Sequence, residues 1–245
     1  MATTGQASFE FSPDQSIDPN SPPLENGDRL SRAEFERRYD AMPDLKKAEL
    51  IEGIVHMGSP VGFRRHSKPH FDLIAWLGQY QSATPGIVGG DNGSIKLDLA
   101  NMPQPDIFLM ILPENGGRAT IGVDDFIEGG PELVIEIASS SASHDLHAKL
   151  EVYRRNGARE YLVWKVRDQS FNWFVLRDGV YVRIEPAADG MLRSEIFPGL
   201  WLDPEAMLRG DLPAVFRAVQ LGLASPEHAG FVARLREAAG GGERT

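Results

Sequence analysis

The segment Leu133-Val134-Ile135-Glu136-Ile137-Ala138 constrains the fold more than any other stretch of the chain. Side chains alternate across a strand, so Leu133, Ile135 and Ile137 share one face while Val134, Glu136 and Ala138 share the other. Apart from Glu136, both faces are apolar. A strand of this kind lies inside a sheet that is covered on both sides, and it holds a carboxylate where desolvation opposes its charge. Such a group needs a cation. The plainer alternative is a glutamate at a strand end that reaches water or pairs with one arginine.

The rest of the chain supplies the covering layers. Ser31-Arg32-Ala33-Glu34 fits a capping box, in which Ser31 and Glu34 satisfy each other's free backbone donors, and it opens a helix to about Tyr39. Glu49 to Met57 reads as a hairpin around Gly53. From Ser67 to Gln81, the three-residue spacing of Phe71, Ile74 and Leu77 beside Trp76 and Tyr80 predicts a helix with one apolar face. Short strands are expected near Ile87–Val88, Ile95–Leu97 and Ile107–Leu112, then a glycine-rich loop from Glu114 to Pro131. After the Leu133–Ala138 strand come a Ser139–Ser143 loop and a helix from Asp145 to Asn156, ended by Gly157. Strands follow over Tyr161–Val166, Phe171–Leu176 and Val180–Ile184, with helices beyond Pro204 and Pro226. This order predicts an α/β fold, a mixed β-sheet flanked by helices. Residues 1–28, rich in proline and poor in apolar positions, read as a disordered amino-terminal tail. Residues 29–203 form the catalytic-sized domain, and residues 204–245 a helical carboxyl-terminal extension.

Composition removes several function classes. Cysteine is absent, which excludes disulfides, thiolate nucleophiles and zinc–thiolate sites, so any metal is held by oxygen or imidazole. No apolar run is long enough to span a bilayer, and the amino-terminal stretch lacks a basic flank and an apolar core, so no membrane association and a cytoplasmic location are expected. The net charge of -10 opposes general nucleic-acid binding, which rests on Lys and Arg contacts to phosphate. A local cluster, Arg64, Arg65 and Lys68, can offset that on one face.

Pro105-Asp106 precedes the apolar run Ile107-Phe108-Leu109-Met110-Ile111 and so sets a second acid at the mouth of a buried strand. Alone, Pro-Asp is an ordinary turn dipeptide. Paired with Glu136 it makes the oxygen-rich donor set that Mg²⁺ prefers. Glu49 and Glu52 point to opposite faces of a regular strand, so one of them at most reaches this pair directly. His66 can contact a phosphate or a metal-bound water, or cap its helix. Trp164, Trp173 and Trp201 alternate with apolar neighbours and read as core.

Asp106, Glu136 and the run Glu132 to Ser141, followed by Asp145, Lys149, Tyr153, Gly157 and Glu160-Tyr161-Leu162-Val163-Trp164, resemble the Uma-two family of restriction-endonuclease-like proteins. Glu49 to Gly53, Ser59-Pro60 and His66 resemble its amino-terminal half, and the likeness covers roughly Leu30 to Trp201. The resemblance implies a PD-(D/E)xK core, Mg²⁺ or Mn²⁺ held by Asp106 and Glu136, hydrolysis of phosphodiester bonds, and nucleic acid, DNA in particular, as substrate. It also favours Glu49 over Glu52 as a further catalytic acid. The lysine that the superfamily places two residues beyond the second acid would fall at Ala138. Lys149 is the substitute, unless Asp145 and Lys149 form only a surface helix pair. Two rivals stay open: a catalytically inactive module of the same fold that binds or regulates, and a hydrolase of small phosphorylated metabolites. A homodimer also stays open.

Overall fold

The computed structural model describes residues 21–58, 60–138 and 145–241, apart from the side chains of residues 145 and 146. The Ser139–Ser143 loop and most of the expected tail lie outside the described residues. Helix α1 (Arg32–Asp40) starts where Ser31 Oγ accepts the Glu34 N–H at 3.4 Å. The return half of the capping box is replaced. The Glu34 carboxylate takes the guanidinium groups of Arg37 and Arg38 at 2.9 and 2.6 Å, because charge-assisted bonds are stronger than a neutral backbone bond. Strands β1 (Ala48–Ile51) and β2 (Ile54–Met57) form the expected hairpin. Glu52 and Gly53 turn it with φ of 54° and 72°, the left-handed pair that a two-residue hairpin turn needs.

A π-helical turn, Phe63–Ser67, leads into α2 (Lys68–Ser82). Its buried stripe is Leu73, Trp76, Leu77 and Tyr80, whereas Phe71 and Ile74 are 69% and 38% exposed. The expected apolar face therefore divides: of Phe71, Ile74 and Leu77, only Leu77 faces the core. The strands β3 (Ile87–Asp91), β4 (Ile95–Lys96), β5 (Ile107–Ile111), β6 (Thr120–Ile121), β7 (Ile127–Glu128) and β8 (Leu133–Ala138) follow. A second π-helical turn, Asp145–Lys149, opens α3 (Leu150–Arg155), and Gly157 ends that helix with φ of 77°. The chain continues through β9 (Glu160–Lys165), β10 (Ser170–Arg177), β11 (Val180–Arg183), β12 (Leu192–Arg193) and β13 (Trp201–Leu202). It closes with α4 (Pro204–Arg209), α5 (Leu212–Leu223) and α6 (Pro226–Gly241).

The main sheet has six strands in the order β11-β10-β9-β8-β5-β3. Only β8 and β9 are parallel, and the helical segment Asp145–Arg155 makes the crossover that a parallel pair requires. All six residues of β8 are buried, as its two apolar faces demand. Leu133, Ile135 and Ile137 pack with α2 residues and with Met207, Val215, Val219 and Phe231. Val134 and Ala138 pack on the opposite face with Tyr153 of α3 and with Tyr161 and Val163. The carboxyl-terminal helices are thus part of the core rather than an appendage to it. No helix among the described residues is long and apolar enough to cross a membrane.

The amino-terminal boundary also differs from the expectation. Leu24, within the presumed tail of residues 1–28, is 3% exposed and joins a second core of Phe35, Leu50, Val55 and Met102 beneath the hairpin. Residues 25–28 are held too: the Gly27 N–H donates to the Val55 carbonyl at 2.8 Å. A buried leucine and these backbone bonds hold a segment that composition alone assigns to disorder. Leu24→Ala should therefore cost about 2 to 5 kcal/mol, the range for truncating a buried leucine. Urea unfolding measures it, and an unchanged midpoint would place Leu24 outside the cooperative core.

Candidate active site

The antiparallel pairing of β5 with β8 sets Ile107 opposite Ile135, so one step further along this register Asp106 stands opposite Glu136. Asp106 is the residue where the ladder stops, and its side chain takes over: Oδ2 accepts the Ile137 N–H at 2.8 Å. Asp106 Oδ1 faces nitrogen on the other side, with His66 Nε2 at 3.1 Å and Lys47 Nζ at 3.3 Å. His70 Nε2 lies 2.9 Å from the Asp106 carbonyl oxygen, which can only accept, so this ring nitrogen carries the hydrogen.

Glu136 meets a cation from the crossover. Lys149, 4% exposed, donates to Glu136 Oε1 at 2.9 Å and to Glu49 Oε1 on β1 at 2.8 Å. The Tyr153 hydroxyl, one turn further along the helix, donates to the same Glu136 oxygen at 3.3 Å. Glu49 Oε1 also accepts the Gln104 N–H at 2.8 Å. Glu52 is not at the site; it sits in the hairpin turn and pairs with Arg155 at 2.5 Å. A surface pair is not what Lys149 makes, although the Asp145 side chain lies outside the described residues. Ala138 is fully buried against Tyr153 and Tyr161, so no lysine fits there without displacing them, and the ammonium arrives from the crossover instead.

These contacts set the ionisation of the acids. Burial pushes the Asp106 carboxyl up, but the His66 hydrogen bond, the Lys47 charge and the Ile137 N–H together outweigh it and hold the group well below the usual carboxylate range. Glu49 behaves alike: burial raises it, and the charges of Lys149 and Lys47 with the bonds from Lys149 and Gln104 bring it below its ordinary value.

The sequence reading singled out Asp106, Glu136, Lys149, Glu49 and His66, and the structure brings all five to one cleft. It missed Lys47, His70 and Gln104 and gave Tyr153 no role. Spacing could have found three of them. Lys47 is two residues from Glu49, on the same side of the strand line, while His70 and Tyr153 each lie four residues after His66 and Lys149, on the same helical faces.

The cleft measures about 1330 Å³. Lys46, Lys47, Arg64, Arg65, Lys149 and Arg167 line it against three carboxylates, so its charge balance is opposite in sign to that of the whole chain. Lys68 does not contribute; it pairs with Asp72 at 2.5 Å. Among the described residues, no three His, Asp or Glu side chains converge into a ready-made metal site. The donor set still fits Mg²⁺, which typically takes one or two carboxylates and completes its shell with water and substrate phosphate oxygens. A cation at Asp106 Oδ1 would compete with Lys47 and His66 for that oxygen.

A sequence profile for the family described as "Uma2: Putative restriction endonuclease" matches residues 32–205. Among solved structures, the fold is similar to one described as "a putative nuclease belonging to DUF820" from Anabaena variabilis. The TM-score is 0.53 with 15% identity, covering 67% of this chain and 90% of that one. No curated protein matches the chain.

Removing the ammonium isolates its structural share. Lys149→Met should destabilise the protein by about 3 to 5 kcal/mol at pH 8, because it leaves two buried carboxylates facing each other. The sign with pH follows from Glu49. Its lowered value in the parent contributes stability above the unfolded pKa; without Lys149, burial prevails and the folded value rises, so the variant regains stability as pH falls towards 5. Urea unfolding at the two pH values should show the larger loss at pH 8; an equal loss at both would mean that the carboxylates are not balanced by Lys149.

Proposed function

The chain belongs to the Uma2 family of restriction-endonuclease-like proteins, and from that premise we propose that it is a metal-dependent endonuclease that hydrolyses phosphodiester bonds, with DNA as substrate. The observation that carries this reading is Lys149, held at 2.8 and 2.9 Å between Glu49 and Glu136 in the same cleft as Asp106. Two acids with a fixed ammonium beside them are what phosphoryl chemistry asks of a protein: anionic donors for a cation and a positive charge where the phosphate oxygens gain charge.

Asp106 and Glu136 would hold Mg²⁺ or Mn²⁺, which when bound polarises the scissile phosphate and acidifies a coordinated water. The protein's own groups supply the rest. Lys149 places its positive charge beside the point where a phosphate oxygen or an attacking water would sit, and Glu49 fixes the ammonium so that little reorganisation is needed. Tyr153 steadies the Glu136 carboxylate, and His66 and Lys47 keep Asp106 ionised across the working pH range. Arg64, Arg65, Lys46 and Arg167 give flanking phosphates their counter-charges, which answers the objection that the net charge raises.

Nicking of supercoiled plasmid DNA with Mg²⁺ or Mn²⁺, run beside hydrolysis of bis(4-nitrophenyl) phosphate and a chelated control, tests the reading. Cleavage of both substrates that stops on chelation supports it; hydrolysis of the small diester alone would favour a metabolite hydrolase, and no cleavage would favour the inactive module. Asp106→Asn and Glu136→Gln should each abolish nicking in a protein that still unfolds cooperatively. Lys149→Ala should slow it by about two orders of magnitude or more, as loss of a preorganised charge-stabilising group does. Full activity in any of the three would remove that residue from the mechanism.

A further inference from the structure

Helix α2 presents Phe71 and Ile74 to the cleft that holds the carboxylates, and Val61 on the preceding loop lines the same cleft. Phe71 and Val61 are 69% and 60% exposed, Ile74 38%. Single exposed apolar side chains need no explanation, but three that line one charged cleft mark a surface that meets something apolar. Phe71 directly follows His70, whose ring nitrogen lies 2.9 Å from the Asp106 carbonyl oxygen, so the Phe71 backbone is anchored next to the acids while its ring, about 100° further round the helix, lines the same cleft. Arg64 and Arg65 lie on the turn that leads into the same helix.

This combination selects among forms of nucleic acid. In a continuous duplex the faces of the bases are covered by their neighbours, and a protein meets only edges, sugars and phosphates. An exposed phenyl ring gains stacking energy only from a base whose face is free, while arginines follow the backbone on either side. We propose, on the footing of the nuclease reading above, that Phe71 stacks an unpaired base next to the scissile phosphate. The substrate is thus a strand that is single or splayed at the cleavage point. Ile74 and Val61 extend the apolar wall for the base and sugar, and the cationic lining neutralises the flanking phosphates.

Fluorescence anisotropy with a labelled single-stranded DNA oligonucleotide and the matching duplex, both with chelator present, tests this in the full chain. The parent should bind the single strand about tenfold or more tightly than the duplex. Phe71→Ala should lose about tenfold in single-strand affinity, the scale of one base stacked on an aromatic ring, with little change for the duplex. Phe63, equally exposed at 69% but absent from the cleft lining, is the control. Phe63→Ala should bind like the parent, and thermal unfolding should confirm that both variants are folded. Tighter duplex binding by the parent, unaltered single-strand affinity in Phe71→Ala, or an equal loss in both variants would overturn the inference. So would light scattering that shows Phe71→Ala turning a dimer into a monomer, since the wall would then be covered by a second copy of the chain. Nicking of plasmid DNA by the parent separates the two readings. If it proceeds while the strand preference is absent, the nuclease reading stands and this one fails; if parent protein cleaves neither diester nor plasmid, both fall.

Discussion

Lys149 bonds two buried carboxylates at once, and the centre of the sheet depends on it. Two unit charges about 4 Å apart interact by roughly 4 kcal/mol at the effective dielectric of a protein, so Glu49 and Glu136 without a cation would repel on a scale comparable to the stability of a whole domain. With the ammonium between them, the repulsion is replaced by two charge-assisted hydrogen bonds. Three elements must then hold one relative position: the hairpin that carries Glu49, strand β8 that carries Glu136, and the crossover that carries Lys149. The hairpin is not part of the six-stranded sheet. Lys149 ties it there by charge, as the Leu24 and Met102 cluster does by apolar contact.

Other buried acids in the same sheet show how the candidate site differs from its scaffold. Glu132 accepts the Ile111 N–H at 2.8 Å. Glu160 accepts from the Glu195 and Ile196 N–H groups, the Ser194 hydroxyl and the Trp173 indole, with distances between 2.7 and 3.2 Å. These donors are neutral. Burial pushes the Glu160 carboxyl up to about 7, and its bonds fasten the 194–196 segment to the sheet. Asp106, Glu49 and Glu136 instead each meet a Lys or His nitrogen and open onto a cleft. Burial alone does not separate the acids of the candidate site from Glu132 and Glu160; the charge of the partner does.

The double apolar face of β8 was enough to read an interior strand, and with it a sheet covered on both sides, because alternation in a strand leaves no other reading for that run. The pairing of Asp106 with Glu136 was legible for a related reason: each acid sits at the end or in the middle of an otherwise apolar strand, where a solitary charge is conspicuous. The place of Lys149 in the cleft was visible only through the family resemblance, since position 149 in sequence looks like any surface position of a helix. The apolar face of α2 was misjudged at Phe71 and Ile74. A three-residue step in sequence cannot tell a side chain that meets the core from one turned towards a cleft, because both lie on apolar stripes of one helix. Leu24 was missed because one anchoring side chain leaves no periodic trace.

The contacts of the cleft join residues far apart along the chain: 31 positions between Asp106 and Ile137, 40 between His66 and Asp106, 55 between Glu49 and Gln104, and 100 between Glu49 and Lys149. Loop-closure entropy grows only with the logarithm of length, so the longest of these costs little more to close than the shortest. Order of synthesis matters more than length. A chain that emerges amino end first exposes Glu49 and Asp106 while the residues that place Lys149 have still to be made. Until then Glu49 is better left in water, and the hairpin lacks the ammonium that ties it to β8. Closing the crossover between β8 and β9 brings in the ammonium, so the step that completes the parallel pair of the sheet also completes the charge balance of the cleft. The bonds that balance Glu49 and Glu136 therefore form with the β8–β9 crossover, and a nascent chain carries the candidate site incomplete until Lys149 has been made.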